Sequence, residues 1–91
     1  MGQEIDPDVA ELRRVLSTRI KAARESRGLT QGQLAERMEA TRPLVNRLER
    51  GSRERDIMTV TSMYRVAKAL GMKLKIEFVE EWEDVGTPDQ G

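Results

Sequence analysis

The chain has 91 residues, which is enough for one small domain with a modest core. Hydrophobic residues make up 37% of it and aromatic residues only 3%, so the core must consist of aliphatic side chains and methionine. The formal net charge is zero, and the lack of cysteine and histidine excludes disulfides, thiolate metal sites and the commonest general base and metal ligand.

The first predicted element is a long helix. Asp6 can cap it, and Pro7 suits the first helical position. Apolar residues then recur every three or four positions, which predicts one apolar stripe of a helix: Val9, Leu12, Leu16, Ile20 and Ala23. Gly28 ends this helix, whose early turns we expect to project beyond the core. We assign residues 1–8 to a flexible N-terminus and residues 9–71 to the helical domain.

Two short helices with separate start signals follow in the middle of the chain. Thr30 is a side-chain N-cap and Gln33 completes a capping box, so the second helix runs from Gln31 to about Met38. Thr41 caps the third helix, and Gly51 ends it. The inward residues of this pair are Leu34, Ala35, Met38, Val45 and Leu48. A short helix, a tight turn and a second helix rich in Arg and Asn are typical of a helix-turn-helix, whose second helix lies in a DNA major groove.

The last quarter of the chain changes its period. Thr59 caps a fourth helix that Gly71 ends, with predicted core residues Val60, Met63, Tyr64, Ala67 and Leu70. Leu74, Ile76 and Phe78 then alternate with charged residues, which predicts a half-buried strand over residues 72–80. One strand cannot satisfy its own backbone groups, so it must pair with the same strand of a second copy or with a sheet edge of another protein. Residues 81–91 form an acidic flexible tail.

These elements predict the fold class. We expect a mainly α protein, namely a compact helix-turn-helix domain of four to five helices with a C-terminal β-strand that pairs between subunits. No apolar run has membrane length and no signal segment is visible, so we expect a cytoplasmic protein without a membrane partner.

The zero net charge hides a strong asymmetry. Residues 13–55 carry a local balance of +7, residues 1–12 carry −4 and residues 80–91 carry −5. A basic middle with acidic ends suits a domain that meets phosphate centrally. An ordinary solvated helical surface is the alternative interpretation.

Four residues of the third helix are candidates for base contacts: Arg42, Pro43, Asn46 and Arg47. Arginine can grip guanine through two acceptors, and asparagine can pair with adenine through one donor and one acceptor. Pro43 could touch a thymine methyl group, as could Leu44, although Leu44 could equally belong to the core. The alternative for the polar residues is ordinary exposure to solvent.

Phosphate contacts are expected from residues that flank the two short helices. The candidates are Gln31, Thr41, Arg50, Ser52, Arg53 and Arg55, and such contacts position a protein without reading sequence. A local cap at Gln31 and a solvated loop after Gly51 are the alternatives. Arg24 and Glu49 lie near helix ends with apolar neighbours, which favours a structural ion pair between the first and third helices.

With these residues in place, residues 20–74 resemble the Cro/cI-type (Xre) helix-turn-helix family. The matching positions are Arg24, Gly28-Leu29-Thr30-Gln31, Leu34-Ala35, Val45, Leu48-Glu49-Arg50-Gly51 and Ala67-Lys68-Ala69-Leu70-Gly71. The resemblance implies that Arg24 pairs with Glu49, that Gln31 touches phosphate, and that Arg42, Pro43 and Arg47 face the bases. Glu39 departs from the family, which often has glycine at this position of the turn between the helices. A positive φ there would be strained for glutamate. The loop after Gly51 also looks longer than usual.

The segment Gly71-x-x-Leu74-x-Ile76-x-Phe78 resembles the end of the HigA and HipB antitoxins. This resemblance implies a homodimer that binds a palindromic operator, represses its own operon and neutralises a cognate toxin. A stand-alone phage or host regulator of the Xre family is one alternative, and a protein-interaction module without DNA binding is another. Without His or Cys, no recognisable catalytic constellation exists, so we expect neither an enzyme, nor a metal site, nor a cofactor.

Overall fold

The computed structural model describes residues 6–51 and 57–81, which form four α-helices and no strand. The helices are α1 (Pro7–Ser26), α2 (Gln31–Met38), α3 (Arg42–Arg50) and α4 (Val60–Ala69). α3 packs against both α1 and α2, and α2 also packs against α4. The prediction of a mainly helical protein is therefore confirmed.

Each helix begins where its sequence signal predicts. The side chains of Asp6, Thr41 and Thr59 each accept a hydrogen bond from a backbone N–H in the first turn that follows. At α2 the capping box is complete, because Thr30 accepts from the Gln33 backbone at 3.0 Å and donates its own backbone N–H to the Gln33 side chain at 2.8 Å. α1 begins at Pro7, so the last two residues of the predicted N-terminal segment 1–8 are helical. Residues 1–5 of that segment lie outside the described residues.

The core is aliphatic, as the composition requires. Its buried members are Ile20, Leu34, Ala35, Met38, Val45, Leu48, Met63, Val66 and Leu70. The largest fully buried side chains are Leu34, Val45 and Leu48, all from α2 and α3. Burial of one such side chain stabilises the fold by roughly 1.5–3 kcal/mol, so the two short helices form the centre of the molecule. Leu44 is partly buried and packs against this core, which favours a core role over contact with a thymine methyl group.

The predicted apolar stripe of α1 is buried only in the second half of the helix. Val9, Leu12 and Leu16 are exposed, whereas Ser17 and Arg24 are buried with Ile20. The face of α1 that packs against α3 carries the polar residues Ser17 and Arg24. The Ser17 hydroxyl donates to the Leu48 carbonyl of α3 at 2.6 Å. The exposed early residues are consistent with the expected projection of the first turns beyond the core.

The predicted core face of α4 is also partly wrong. Val60 and Tyr64 are 65% and 54% exposed, and Val66 takes their place beside Met63 and Leu70. Spacings of three and four residues allow two neighbouring stripes on this helix. The packing against α2 selects the stripe at 63, 66 and 70.

Arginines from neighbouring helices satisfy backbone carbonyls at two helix ends. Arg27 donates to the Leu70 carbonyl at 2.6 Å and Arg37 donates to the Ala69 carbonyl at 3.4 Å, both at the end of α4. Arg65 of α4 donates in return to the Met38 carbonyl at the end of α2. Because the last carbonyls of a helix have no partner inside it, these contacts join the helices where they would otherwise need water.

The turn between α2 and α3 places Glu39 in the left-handed region, with φ 58° and ψ 43°. The Ala40 N–H donates to the Ala35 carbonyl at 2.8 Å, which closes the α2 C-terminus with a Schellman-type bond. The sequence departs from glycine here, and the backbone nevertheless adopts the conformation that glycine prefers. The surrounding packing therefore imposes a local strain on Glu39.

We predict that Glu39→Gly raises the unfolding free energy by about 1 kcal/mol, because glycine tolerates a positive φ that other residues resist. Glu36→Gly is the matched control. It removes another exposed glutamate, but from the body of α2, and should lower the unfolding free energy by about 1 kcal/mol. Urea denaturation followed by circular dichroism measures both. A loss of stability in Glu39→Gly would contradict the proposed strain.

Candidate nucleic-acid interface

The outer side of α3 carries the predicted base-contacting residues. Arg42, Pro43 and Arg47 are exposed and Asn46 is half-buried, whereas Val45 and Leu48 on the opposite side are completely buried. Arg42 and Asn46 are one turn apart on the same side, with Arg47 next to them. The structure thus brings these four side chains together on one surface.

This surface continues onto the start of α2. Gln31, Arg42, Pro43 and Asn46 line a shallow groove between the two helices. In the described part of the chain, the guanidinium groups of Arg42 and Arg47 form no hydrogen bond or ion pair. Their donors are therefore available to an external acceptor.

A buried ion pair holds α3 against α1. Nε of Arg24 donates to Oε2 of Glu49 at 2.6 Å, and Nη2 donates to Oε1 at 2.9 Å. The third Arg24 nitrogen, Nη1, donates to the Leu29 carbonyl at 2.8 Å, just before α2. Only 10% of the Arg24 side chain and 3% of the Glu49 side chain are exposed. The pair therefore joins both short helices to the end of α1.

The two charges of this pair stabilise each other. Burial by itself raises the pKa of Glu49, but hydrogen bonds from Arg24 and Gln31 and the positive charges of Arg24 and Lys21 outweigh that effect, so the pKa is lowered. The hydrogen bond that Arg24 donates to Glu49 raises the pKa of Arg24 in spite of its desolvation. Both groups are consequently ionised at neutral pH.

Gln31 has a role that the sequence did not reveal. Its Nε2 donates to Oε1 of Glu49 at 3.1 Å, and its Oε1 accepts from Nδ2 of Asn46 at 3.5 Å. Asn46 in turn accepts from Nη1 of Arg50 at 3.3 Å through its Oδ1. The two contacts of Gln31 join residues 18 and 15 positions apart, so only the packed geometry of α2 and α3 could reveal them.

The model of the helix-turn-helix domain family matches residues 3–78, which include all four helices. The chain belongs to this family. No curated protein and no solved structure matches the chain significantly. The helix-turn-helix domain is typical of DNA-binding regulators rather than enzymes. In this domain the second helix of the motif is α3, which carries the exposed arginines.

The remaining predicted phosphate contacts divide into two groups. Thr41 and Arg50 are exposed at opposite ends of α3, and the Thr41 hydroxyl accepts from the Leu44 N–H at 3.4 Å. Ser52, Arg53 and Arg55 lie outside the described residues. Among the described residues, no acidic side chains gather into a group that could hold a metal ion. No helix in the same ranges is both long and apolar enough to cross a membrane.

We predict that Glu49→Gln lowers the unfolding free energy at pH 7 by about 3 kcal/mol, because it leaves the Arg24 guanidinium buried without its counter-charge. Since the pKa of Glu49 is lower in the folded than in the unfolded state, its contribution is complete above the ordinary value of 4.5 and is lost as the pH falls through the folded pKa. The difference between wild type and variant should therefore shrink below pH 4.5 in urea denaturation series.

Glu11→Gln is the matched control. It breaks a pair with Arg14 at the same 2.6 Å separation, but those side chains are 58% and 65% exposed. Solvent screens an exposed pair, so the denaturation midpoint should stay close to that of wild type. Equal losses in the two variants would show that burial gives the Arg24–Glu49 pair no special role.

Proposed function

We propose that the protein is a sequence-specific DNA-binding transcriptional repressor that places α3 in the major groove and binds a palindromic operator as a homodimer. One observation carries the proposal. Arg42, Asn46 and Arg47 lie together on the outer face of α3, while the opposite face is fixed in the core. Membership of the helix-turn-helix domain family supports the same function.

In this proposal the residues of α3 divide the work of recognition. Arg42 and Arg47 bind guanine edges, Asn46 binds adenine and Pro43 contacts a thymine methyl group, each good bidentate pair contributing roughly 1–3 kcal/mol of discrimination. The contacts to the phosphate backbone are assigned to Gln31, Thr41, Arg50, Ser52, Arg53 and Arg55. Their contacts would set the register of the protein on the duplex.

The homodimer is proposed to form through residues 72–80. Leu74 packs against the core, whereas Ile76 and Phe78 are 61% and 98% exposed. Together with the exposed Val79, these side chains leave apolar surface in water along one short segment, which supports a partner there. Pairing with the same segment of a second copy would place two α3 helices on half-sites one helical turn apart.

The finer form of the proposal is a cytoplasmic Xre-type antitoxin that represses its own operon and neutralises a toxin. Its support is the resemblance of Gly71-x-x-Leu74-x-Ile76-x-Phe78 to the HigA and HipB antitoxins. Purification from the native host tests it. A toxic protein from an adjacent reading frame that co-purifies with the chain supports the antitoxin, and a chain that purifies alone favours a stand-alone regulator.

We predict that Arg47→Ala and Arg53→Ala weaken DNA binding in different ways, although each removes one positive charge. Arg47→Ala should relax the preference at one base pair, because it deletes a base contact. Arg53→Ala should weaken all sequences alike and reduce the slope of affinity against salt concentration, because it deletes a phosphate contact. Electrophoretic titrations of the chain's own upstream DNA and of substituted duplexes distinguish the two patterns. A uniform loss in both variants would contradict these roles, and wild type that binds no DNA would favour an interaction module.

We also predict a dimer in solution, with twice the chain mass of 10.4 kDa in sedimentation equilibrium. The double variant Ile76→Lys/Phe78→Lys should sediment as a monomer with unchanged helix content, because it places charges on the pairing segment. Tyr64→Lys, which changes an exposed aromatic residue of α4, is the control and should remain dimeric. A dimer that survives the double variant would rule out this segment as the interface.

A further inference from the structure

We infer that Asn46 is a specificity-determining residue whose amide is held in one orientation by Glu49, acting through Gln31. Gln31 is then a positioning residue and not only a phosphate contact. The inference rests on the proposed function and deepens it, because it says which residues hold the Asn46 amide in the orientation that accepts the edge of adenine.

The argument begins with a chain of four side chains between the solvent side of α3 and the buried ion pair. Arg50 donates to Asn46 at 3.3 Å, Asn46 donates to Gln31 at 3.5 Å, and Gln31 donates to Glu49 at 3.1 Å. All three hydrogen bonds run in the same direction, from the surface towards the carboxylate.

The two ends of the chain fix that direction. An ionised carboxylate only accepts hydrogen bonds, and a guanidinium only donates them. Gln31 must therefore turn its NH₂ group towards Glu49 and its carbonyl towards Asn46. Asn46 must then turn its NH₂ group towards Gln31 and its carbonyl towards Arg50. Reversal of either amide would bring two donors or two acceptors face to face, which costs at least the lost hydrogen bonds.

Glu49 is a firm anchor for this chain. Its side chain is 3% exposed and accepts two hydrogen bonds from Arg24, so it cannot rotate without breaking the pair that holds α3. The lowered pKa keeps it ionised, and hence an acceptor, at neutral pH. Gln31 donates to Glu49 and lines the same groove as Asn46. The acceptor character of Glu49 therefore sets the orientation of Gln31, which in turn sets that of Asn46 at the surface.

The orientation of Asn46 decides which base edge it can read. Its NH₂ group has a second hydrogen and its carbonyl a second lone pair, so the locked amide presents one donor and one acceptor in a fixed order. Adenine offers the complementary acceptor and donor, whereas guanine offers two acceptors in the major groove. A freely rotating amide would present either order and tolerate more base edges.

Gln31→Lys separates positioning from phosphate contact. Lysine can still donate to Glu49 and adds a positive charge near DNA, but it offers no acceptor to Asn46. If Gln31 only touches phosphate, this variant should keep its base preferences. If Gln31 positions Asn46, the variant should lose preference at one base pair and keep its preferences at the others.

The test uses the full-length protein and a duplex selected from random-sequence DNA with wild type. Every base pair of the duplex is substituted in turn, and the affinity ratios are measured by fluorescence anisotropy. Asn46→Ala identifies the base pair that Asn46 reads, where wild type should prefer adenine by about tenfold. Gln31→Lys should reduce that ratio below about threefold and leave the ratios elsewhere unchanged. The double variant Gln31→Lys/Asn46→Ala should lose no further specificity, because both changes break the same coupling.

The outcomes are distinct. A wild type that selects no preferred sequence overturns the proposed function and the inference together. A preferred sequence with an adenine preference that depends on Asn46 but survives Gln31→Lys overturns the inference alone. So does an Asn46→Ala variant that changes no base preference. Thermal unfolding of each variant shows whether any general loss reflects a fold that no longer forms.

Discussion

The ion pair between Arg24 and Glu49 is the interaction on which the arrangement of this domain depends. Arg24 reaches Glu49 with two nitrogens and the Leu29 carbonyl with a third, and Glu49 also accepts from Gln31. The end of α1, the turn before α2 and the end of α3 therefore meet at one pair of side chains. Because the pair is almost completely buried, neither charge can be left alone without a large cost. The rotation of α3 about its own axis is fixed as a result.

Contacts with the rest of the domain matter because the two short helices have little stability of their own. α2 has 8 residues and α3 has 9, well below the length at which isolated helices persist in water. Their side-chain caps, the fully buried Leu34, Val45 and Leu48, and the ion pair hold them in place. These constraints determine which face of α3 points outward. Polar groups that are already held in their bound arrangement reduce the ordering cost of binding.

The sequence predicted the features that depend on neighbours within one turn. The caps at Asp6, Thr30, Thr41 and Thr59 are local hydrogen bonds, and the structure has all four. The side of α4 that faces the core was less predictable, because Tyr64 and Val66 both fit a helical apolar stripe and only the position of α2 selects between them.

Most features that depend on distant residues escaped prediction, although the pair of Arg24 and Glu49, 25 positions apart, was predicted from the sequence. The arginine contacts from Arg27, Arg37 and Arg65 to helix ends, and the chain from Arg50 to Glu49 through two amides, require the packed arrangement of helices. The strand predicted over residues 72–80 depends on a second strand, because its backbone hydrogen bonds need a partner. The described part of a single chain offers none.

Dimethyl sulfate footprinting of the protein on its selected duplex tests the central claim most directly, because the reagent methylates guanine N7 in the major groove and adenine N3 in the minor groove. If α3 reads the major groove, the protein should protect guanine N7 in two clusters one helical turn apart and leave adenine N3 reactive between them. Protection confined to adenine N3, or binding without any protected guanine, would contradict recognition by the outer face of α3.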